Sequence, residues 1–167
     1  MDFPNSALYD FLDLHGIEYV RHDHPPVFTC DEEKLHVPES GAVRTKNLFL
    51  RDRRGKRHLL LMTTCAKSVS IERFAETSGA DRLSFASPER LRQHLGVDPG
   101  SVTVLGLVND AQHAVELYID SDVWNASSLH AHPLRNDATL VFTHDALVRF
   151  LAATGHRPRV LSFAAPG

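Results

Sequence analysis

Leu59-Leu60-Leu61-Met62 constrains the fold most, because this run is apolar at every position rather than at alternate ones. A strand of that kind is buried on both faces and belongs in the middle of a sheet. Residues 43–50 and 57–63 read as the two strands of a hairpin whose turn holds Gly55, a residue suited to positive φ. Side chains alternate faces along a strand, so Lys46 shares a face with Leu48 and Leu50, while Asn47 lies opposite with Thr45 and Phe49. A lysine on an apolar face has two readings. Its stem packs while its head reaches water, or its cation is held at a fixed point to meet an anionic or carbonyl-bearing ligand.

The remaining pattern is mixed. Asn5 or Ser6 caps a first helix with Leu8, Phe11 and Leu12 inward, closed by Gly16. A strand follows at 18–22, then a short helix from Thr29, whose hydroxyl caps Asp31-Glu32-Glu33 at the positive helix end. Ser70 opens a helix stopped by Gly79, and Ser87-Pro88-Glu89 opens another stopped by Gly96. Strands are expected at 83–86, 102–108, 113–119, 138–142 and 158–163. A helical turn at 121–126 carries Trp124, and a last helix is capped by Thr143 and stopped by Gly155. Helices around a mixed sheet make an α+β class, and 167 residues fit one domain spanning 1–167.

Composition narrows the function. The net charge of −3 gives no global attraction to nucleic acid, so RNA contact needs a local patch. Arg51, Arg53, Arg54, Lys56 and Arg57 supply one, either as a solvated turn or as phosphate contacts. No apolar run approaches 18 residues, so no membrane span is expected. Met1-Asp2-Phe3-Pro4-Asn5 lacks the basic and apolar regions of a secretory signal. Cys30 and Cys65 are far apart and form no CxxC pair, which suggests separate thiols in a reducing cytoplasm.

Familiar catalytic motifs are missing: there is no GxSxG, GxGxxG, Walker loop or HExxH. His22-Asp23-His24 and His130-Ala131-His132 each put two imidazoles on one strand face. Neither pair has a third ligand at metal spacing, so neither a metal nor another cofactor is expected.

Five segments carry a family resemblance: Thr45-Lys46-Asn47-Leu48-Phe49-Leu50, Arg82-Leu83-Ser84-Phe85-Ala86-Ser87, residues 95–103 from Leu95-Gly96, Gly106-Leu107-Val108-Asn109-Asp110, and His132-Pro133-Leu134-Arg135-Asn136. Together and in this order the chain resembles the YbaK/prolyl-tRNA synthetase editing-domain family, in its freestanding branch. That resemblance implies a curved mixed sheet around a pocket. It implies hydrolysis of the ester joining a wrong amino acid, typically alanine, to proline tRNA. Lys46 would meet the terminal adenosine and its ester, and Asn47 occupies the adjoining motif position. Leu129, His130, Ala131, His132 and Pro133 would form the loop that recognises the amino acid, largely through backbone groups. Gly106 and Asn109 would add substrate contacts.

His132 would act as a base or shape the loop. Leu129 stands where the family usually has glycine, and Val104 and Leu105 replace a Pro-Phe pair; the first is expected to narrow or reshape the pocket and the others to enlarge it. Alanine is therefore joined by serine, 2-aminobutyrate and cysteine as candidate side chains. Implied partners are tRNA and prolyl-tRNA synthetase, with a monomeric cytoplasmic protein. Two other classes remain: a non-catalytic relative that binds tRNA or a synthetase, and a metal-dependent hydrolase built on the HxH pairs.

Overall fold

The computed structural model describes residues 5–163. Residues 1–4 and the side chains of Asn5 and Ser6, expected to cap the first helix, lie outside the described set. In chain order the elements are α1 (Asn5–Leu14), β1 (Val20–Asp23), α2 (Cys30–His36), β2 (Thr45–Arg51), β3 (His58–Thr64), α3 (Ile71–Ser78), β4 (Ser84–Phe85) and α4 (Pro88–Leu95). A 3₁₀ helix (Val104–Asn109) follows, then β5 (Val115–Asp120), α5 (Ser121–Trp124), β6 (Ser128–Ala131), β7 (Ala138–Thr143), α6 (His144–Thr154) and β8 (Arg159–Leu161).

The α+β class holds, but the single curved sheet resolves into two. One is five-stranded in the order β4-β2-β3-β5-β8, and the other three-stranded in the order β1-β7-β6. The first is mixed: β2 pairs antiparallel with β3 and β4, whereas β3–β5 and β5–β8 are parallel. Val43, just before β2, joins the two sheets. It bridges Leu129, donating its N–H to Ser128 and accepting from the His130 N–H at 2.9 and 3.0 Å. The Thr45 hydroxyl adds a 2.6 Å bond to the His130 carbonyl.

β3 is the central strand its composition demanded. Leu59, Leu60, Leu61 and Met62 are all fully buried. Leu60 and Met62 join the larger core under α1, α4 and α6, while Leu59 and Leu61 join the smaller one with Leu50, Phe74 and Tyr118. Each such side chain contributes about 1.5–3 kcal/mol through removal from water.

Two segments differ from the pattern reading. Residues 102–108 are not a strand; Val104–Asn109 coils as a 3₁₀ helix, with the Thr103 hydroxyl accepting from Leu105 N–H. A short continuous apolar run does not distinguish a buried strand from a buried helical turn. Residues 128–131, expected within a loop, pair with β7 as β6, because Leu129 enters the main core.

Candidate functional site

The start of β2 places Lys46 and Asn47 opposite Thr63 and Met62 of β3. Alternation places Leu48 and Leu50, on the Lys46 side, in the smaller core, and Phe49 in the larger one. The Lys46 ammonium donates to the backbone carbonyl of Lys67, just beyond β3. That carbonyl is itself pinned. The Lys67 ammonium pairs with Asp120 at 2.8 Å and Asp122 at 2.7 Å, and the Thr63 hydroxyl donates to Asp120 at 2.7 Å. Burial works against the Lys67 charge, but the hydrogen bonds to the two carboxylates outweigh it and hold its pKa above the ordinary value.

A second charged cluster comes from α2. Thr29 caps this helix by accepting from Glu32 N–H at 3.1 Å. A disulfide ties its first residue, Cys30, to Cys65, with a Cα–Cα distance of 6.0 Å. The two cysteines are therefore not separate thiols: α2 packs against the exit of β3, a proximity that a separation of 35 residues does not reveal. Glu33 is buried, whereas its neighbour Leu35 is 80% exposed. The Glu33 Oε1 accepts from His130 Nδ1–H at 2.6 Å and from the Arg44 guanidinium at 3.2 Å. Its Oε2 stands 3.6 Å from His132 Nε2. Burial alone would raise the Glu33 pKa; the hydrogen bond from His130 and the positive charge around the carboxylate, Arg44 included, bring it below the usual value.

Lys46, anchored on the first cluster, and Glu33 and His132 of the second line a cavity of about 210 Å³, together with Asn47, Val27 and Val102, among others. The Asn47 Oδ1 is buried without a hydrogen-bond partner, an acceptor awaiting a donor. Phe28, also lining the cavity, is 69% exposed. A Cβ on Gly100 would lie 2.9 Å from the Phe28 ring, so glycine there lets the aromatic lie against the backbone. A cation, an unpartnered acceptor and a carboxylate–imidazole pair thus converge with apolar walls and an aromatic edge. Such a site suits a small polar ester attached to a larger, stackable group.

The match to the aminoacyl-tRNA editing domain model covers residues 24–150, most of the chain and both clusters. The chain belongs to that family. Among curated relatives, it is 33% identical over 152 residues to the prolyl-tRNA editing protein ProX of Acetoanaerobium sticklandii, covering 90% of this chain and 92% of the relative. It is 35% identical over 160 residues to the prolyl-tRNA synthetase associated domain-containing protein 1 of Danio rerio, covering 95% and 86%. A solved structure described as a candidate trans-editing enzyme for prolyl tRNA synthetase superposes with a TM-score of 0.70 over 98% of this chain and all of that one, at 20% identity. That last likeness concerns the fold. Editing is hydrolysis, so membership makes the chain an aminoacyl-tRNA deacylase acting on mischarged tRNA.

Within this editing domain the sequence-derived candidates separate. Lys46, Asn47 and His132 line the cavity. Leu129 and Ala131 do not, because β6 turns them into the core at 0% and 4% exposure; Leu129 therefore does not narrow the pocket. Val104 and Leu105 are likewise core residues and do not enlarge it. His130 reaches the site through Glu33 and through its carbonyl, which accepts from the hydroxyl of the lining Thr45, and Pro133 is not among the lining residues. Gly106 packs on Leu95, where a Cβ would come within 2.8 Å, and the Asn109 amide donates to the Leu95 carbonyl at 2.9 Å. Both residues fasten the 3₁₀ helix to α4 rather than facing the cavity.

The basic turn lies at the far end of β2 from Lys46, roughly 17 Å away at about 3.3 Å per residue. Arg57 is held there by two hydrogen bonds to Glu116 at 2.8 and 2.7 Å, and Arg51 donates to the Asp52 and Arg53 carbonyls. Arg53, Arg54 and Lys56 are exposed. His24 donates through Nδ1 to the Pro25 carbonyl and accepts from Thr139 through Nε2. Among the described residues no three His, Cys, Asp or Glu side chains gather in a metal-binding group, and no helix is long and apolar enough to cross a membrane.

Sequence reasoning missed Glu33, Arg44, Lys67 and Asp120. Glu33 sat among helix-end acids with nothing to set it apart. Asp120 and Lys67 meet only through the parallel pairing of β3 with β5, a contact between distant segments.

Proposed function

We propose that this protein acts in trans on mischarged proline tRNA and removes a small amino acid, alanine first, sparing the cognate prolyl ester. The observation that carries the reading is the cavity of about 210 Å³ shared by Lys46 and Asn47 and walled by Val27 and Val102, in a chain of the editing family. An aminoacyl ester is already activated, so the site needs a positioned water and stabilisation of charge rather than a strong nucleophile.

Water adds to the ester carbonyl carbon, and the developing oxyanion lies beside the Lys46 ammonium. The bond from that carbon to the ribose oxygen then breaks, the ribose oxygen takes the proton given up by the attacking water, and the free amino acid leaves. The unpartnered Asn47 Oδ1 suits the vicinal ribose hydroxyl as a donor. Phe28 offers its exposed ring to the terminal base. Discrimination by binding alone rarely exceeds about 200-fold for one methylene, so a second sieve that excludes the larger correct residue is physically useful.

Deacylation of alanyl-, seryl-, 2-aminobutyryl-, cysteinyl- and prolyl-tRNA, all on proline tRNA, tests this. Alanyl-tRNA should be cleaved fastest and prolyl-tRNA slowest. Preference for a different small residue would keep the reaction and change the specificity.

A further inference from the structure

We propose that Glu33 Oε2 and His132 Nε2 form a paired acceptor that captures the free α-ammonium of the aminoacyl ester, making an unmodified amino group a requirement for binding. This deepens the reading above and rests on its claim that an aminoacyl ester enters this cavity.

The tautomer of His132 decides the argument. Its Nδ1 lies 2.9 Å from the Ala138 carbonyl, which only accepts, so Nδ1 carries the proton. In the neutral ring Nε2 is then a bare lone pair. It faces Glu33 Oε2 across 3.6 Å. A carboxylate oxygen and an imidazole lone pair at that distance repel unless a donor comes between them. An ammonium seated about 2.8 Å from each atom reaches both through separate N–H bonds.

The surroundings keep the pair available. His130 and Arg44 both engage Oε1 and leave Oε2 turned toward His132. Arg44 is shared with Glu39 at 3.3 Å and with the Val37 carbonyl at 2.8 Å, so it does not cancel the Glu33 charge alone. Glu33 and His132 both line the cavity that Lys46 lines. The ester carbonyl and the ammonium are separated by one carbon, so one small ligand can serve both ends. An N-acylated ester, such as a peptidyl or formylated one, presents no ammonium and would leave the two acceptors facing each other.

The test uses two non-hydrolysable probes titrated calorimetrically into the intact protein: adenosine bearing a 3′-alanylamido group, and its 3′-propionylamido counterpart, which lacks only the amine. The wild type should bind the alanyl probe at least about tenfold more tightly. Glu33→Gln and His132→Phe should each abolish that preference, bringing the affinity for the alanyl probe down to that for the propionyl probe. If Glu33→Gln proves unfolded, His132→Phe keeps the Glu33–Arg44–His130 contacts and decides alone. Equal affinity of the wild type for both probes, no binding of the alanyl probe, or a preference retained in the folded variants overturns the proposal. An ammonium preference without hydrolysis of any mischarged tRNA would remove the deacylase specificity reading and leave the acceptor pair standing. Hydrolysis of alanyl-tRNA without ammonium preference would do the reverse.

Discussion

The Lys46 ammonium donates to the backbone carbonyl of Lys67, whose own ammonium is locked between Asp120 and Asp122. One buried ion pair thereby sets where a cation in the cavity stands. Replacing Lys46 by alanine should lower deacylation of alanyl-tRNA about 100-fold or more, the scale of losing one oxyanion contact. The variant should stay folded, since Lys46 is only partly buried. Single-turnover kinetics with circular dichroism would check both halves, and full activity would remove Lys46 from the mechanism.

Asp120 is fully buried and serves three partners: Lys67, the Thr63 hydroxyl and the Asp122 N–H. Asp120→Ala leaves the Lys67 charge with Asp122 as its remaining carboxylate. Breaking a buried pair of this kind costs about 3–5 kcal/mol. Urea unfolding should show a loss on that scale. A change below about 1 kcal/mol would mean that the pair does not brace the β3 exit.

Phe28→Ala should weaken binding of tRNA ending in an intact CCA about tenfold, with little change in thermal stability, because the ring is mostly exposed. Aromatic stacking on a base is worth about 1–3 kcal/mol. Fluorescence anisotropy with the full-length tRNA and with a transcript lacking its terminal adenosine separates stacking from a general loss. Equal weakening on both RNAs would count against a base platform.

Burial, with His94 and Arg90 nearby, pushes the His58 pKa down from 6.5 to about 4. The unfolded chain therefore takes up a proton before the folded one as pH falls. Stability should decline between about pH 6.5 and about pH 4 and gain nothing from this group above that window. His58→Gln should flatten the slope of the thermal midpoint over that range relative to the wild type. An unchanged slope would show that His58 does not drive the acid sensitivity.

Much of the frame was readable because local rules agreed with the global fold. The all-apolar run at Leu59–Met62 required a central strand, and the caps at Thr29, Ser70, Ser87 and Thr143 each accept from a backbone N–H of the helix they open. Lys46 and Asn47 were legible through strand alternation and the family motif. The failures share a cause in long-range contact. Leu129 looked like a loop residue because nothing local announces that β7 and Val43 will flank it. Cys30 and Cys65 looked like unrelated thiols for the same reason. Glu33 was hidden because hydropathy favours burying Leu35, whereas Arg44 and His130 make burial of the carboxylate the better solution.

The most direct measurement is the rate at which the purified protein deacylates alanyl-tRNA and prolyl-tRNA, both on proline tRNA and assayed side by side. The account predicts rapid loss of alanine and a prolyl ester that outlasts it by at least about tenfold, the discrimination a second sieve must supply. Cleavage of the prolyl ester as fast as the alanyl ester would contradict it.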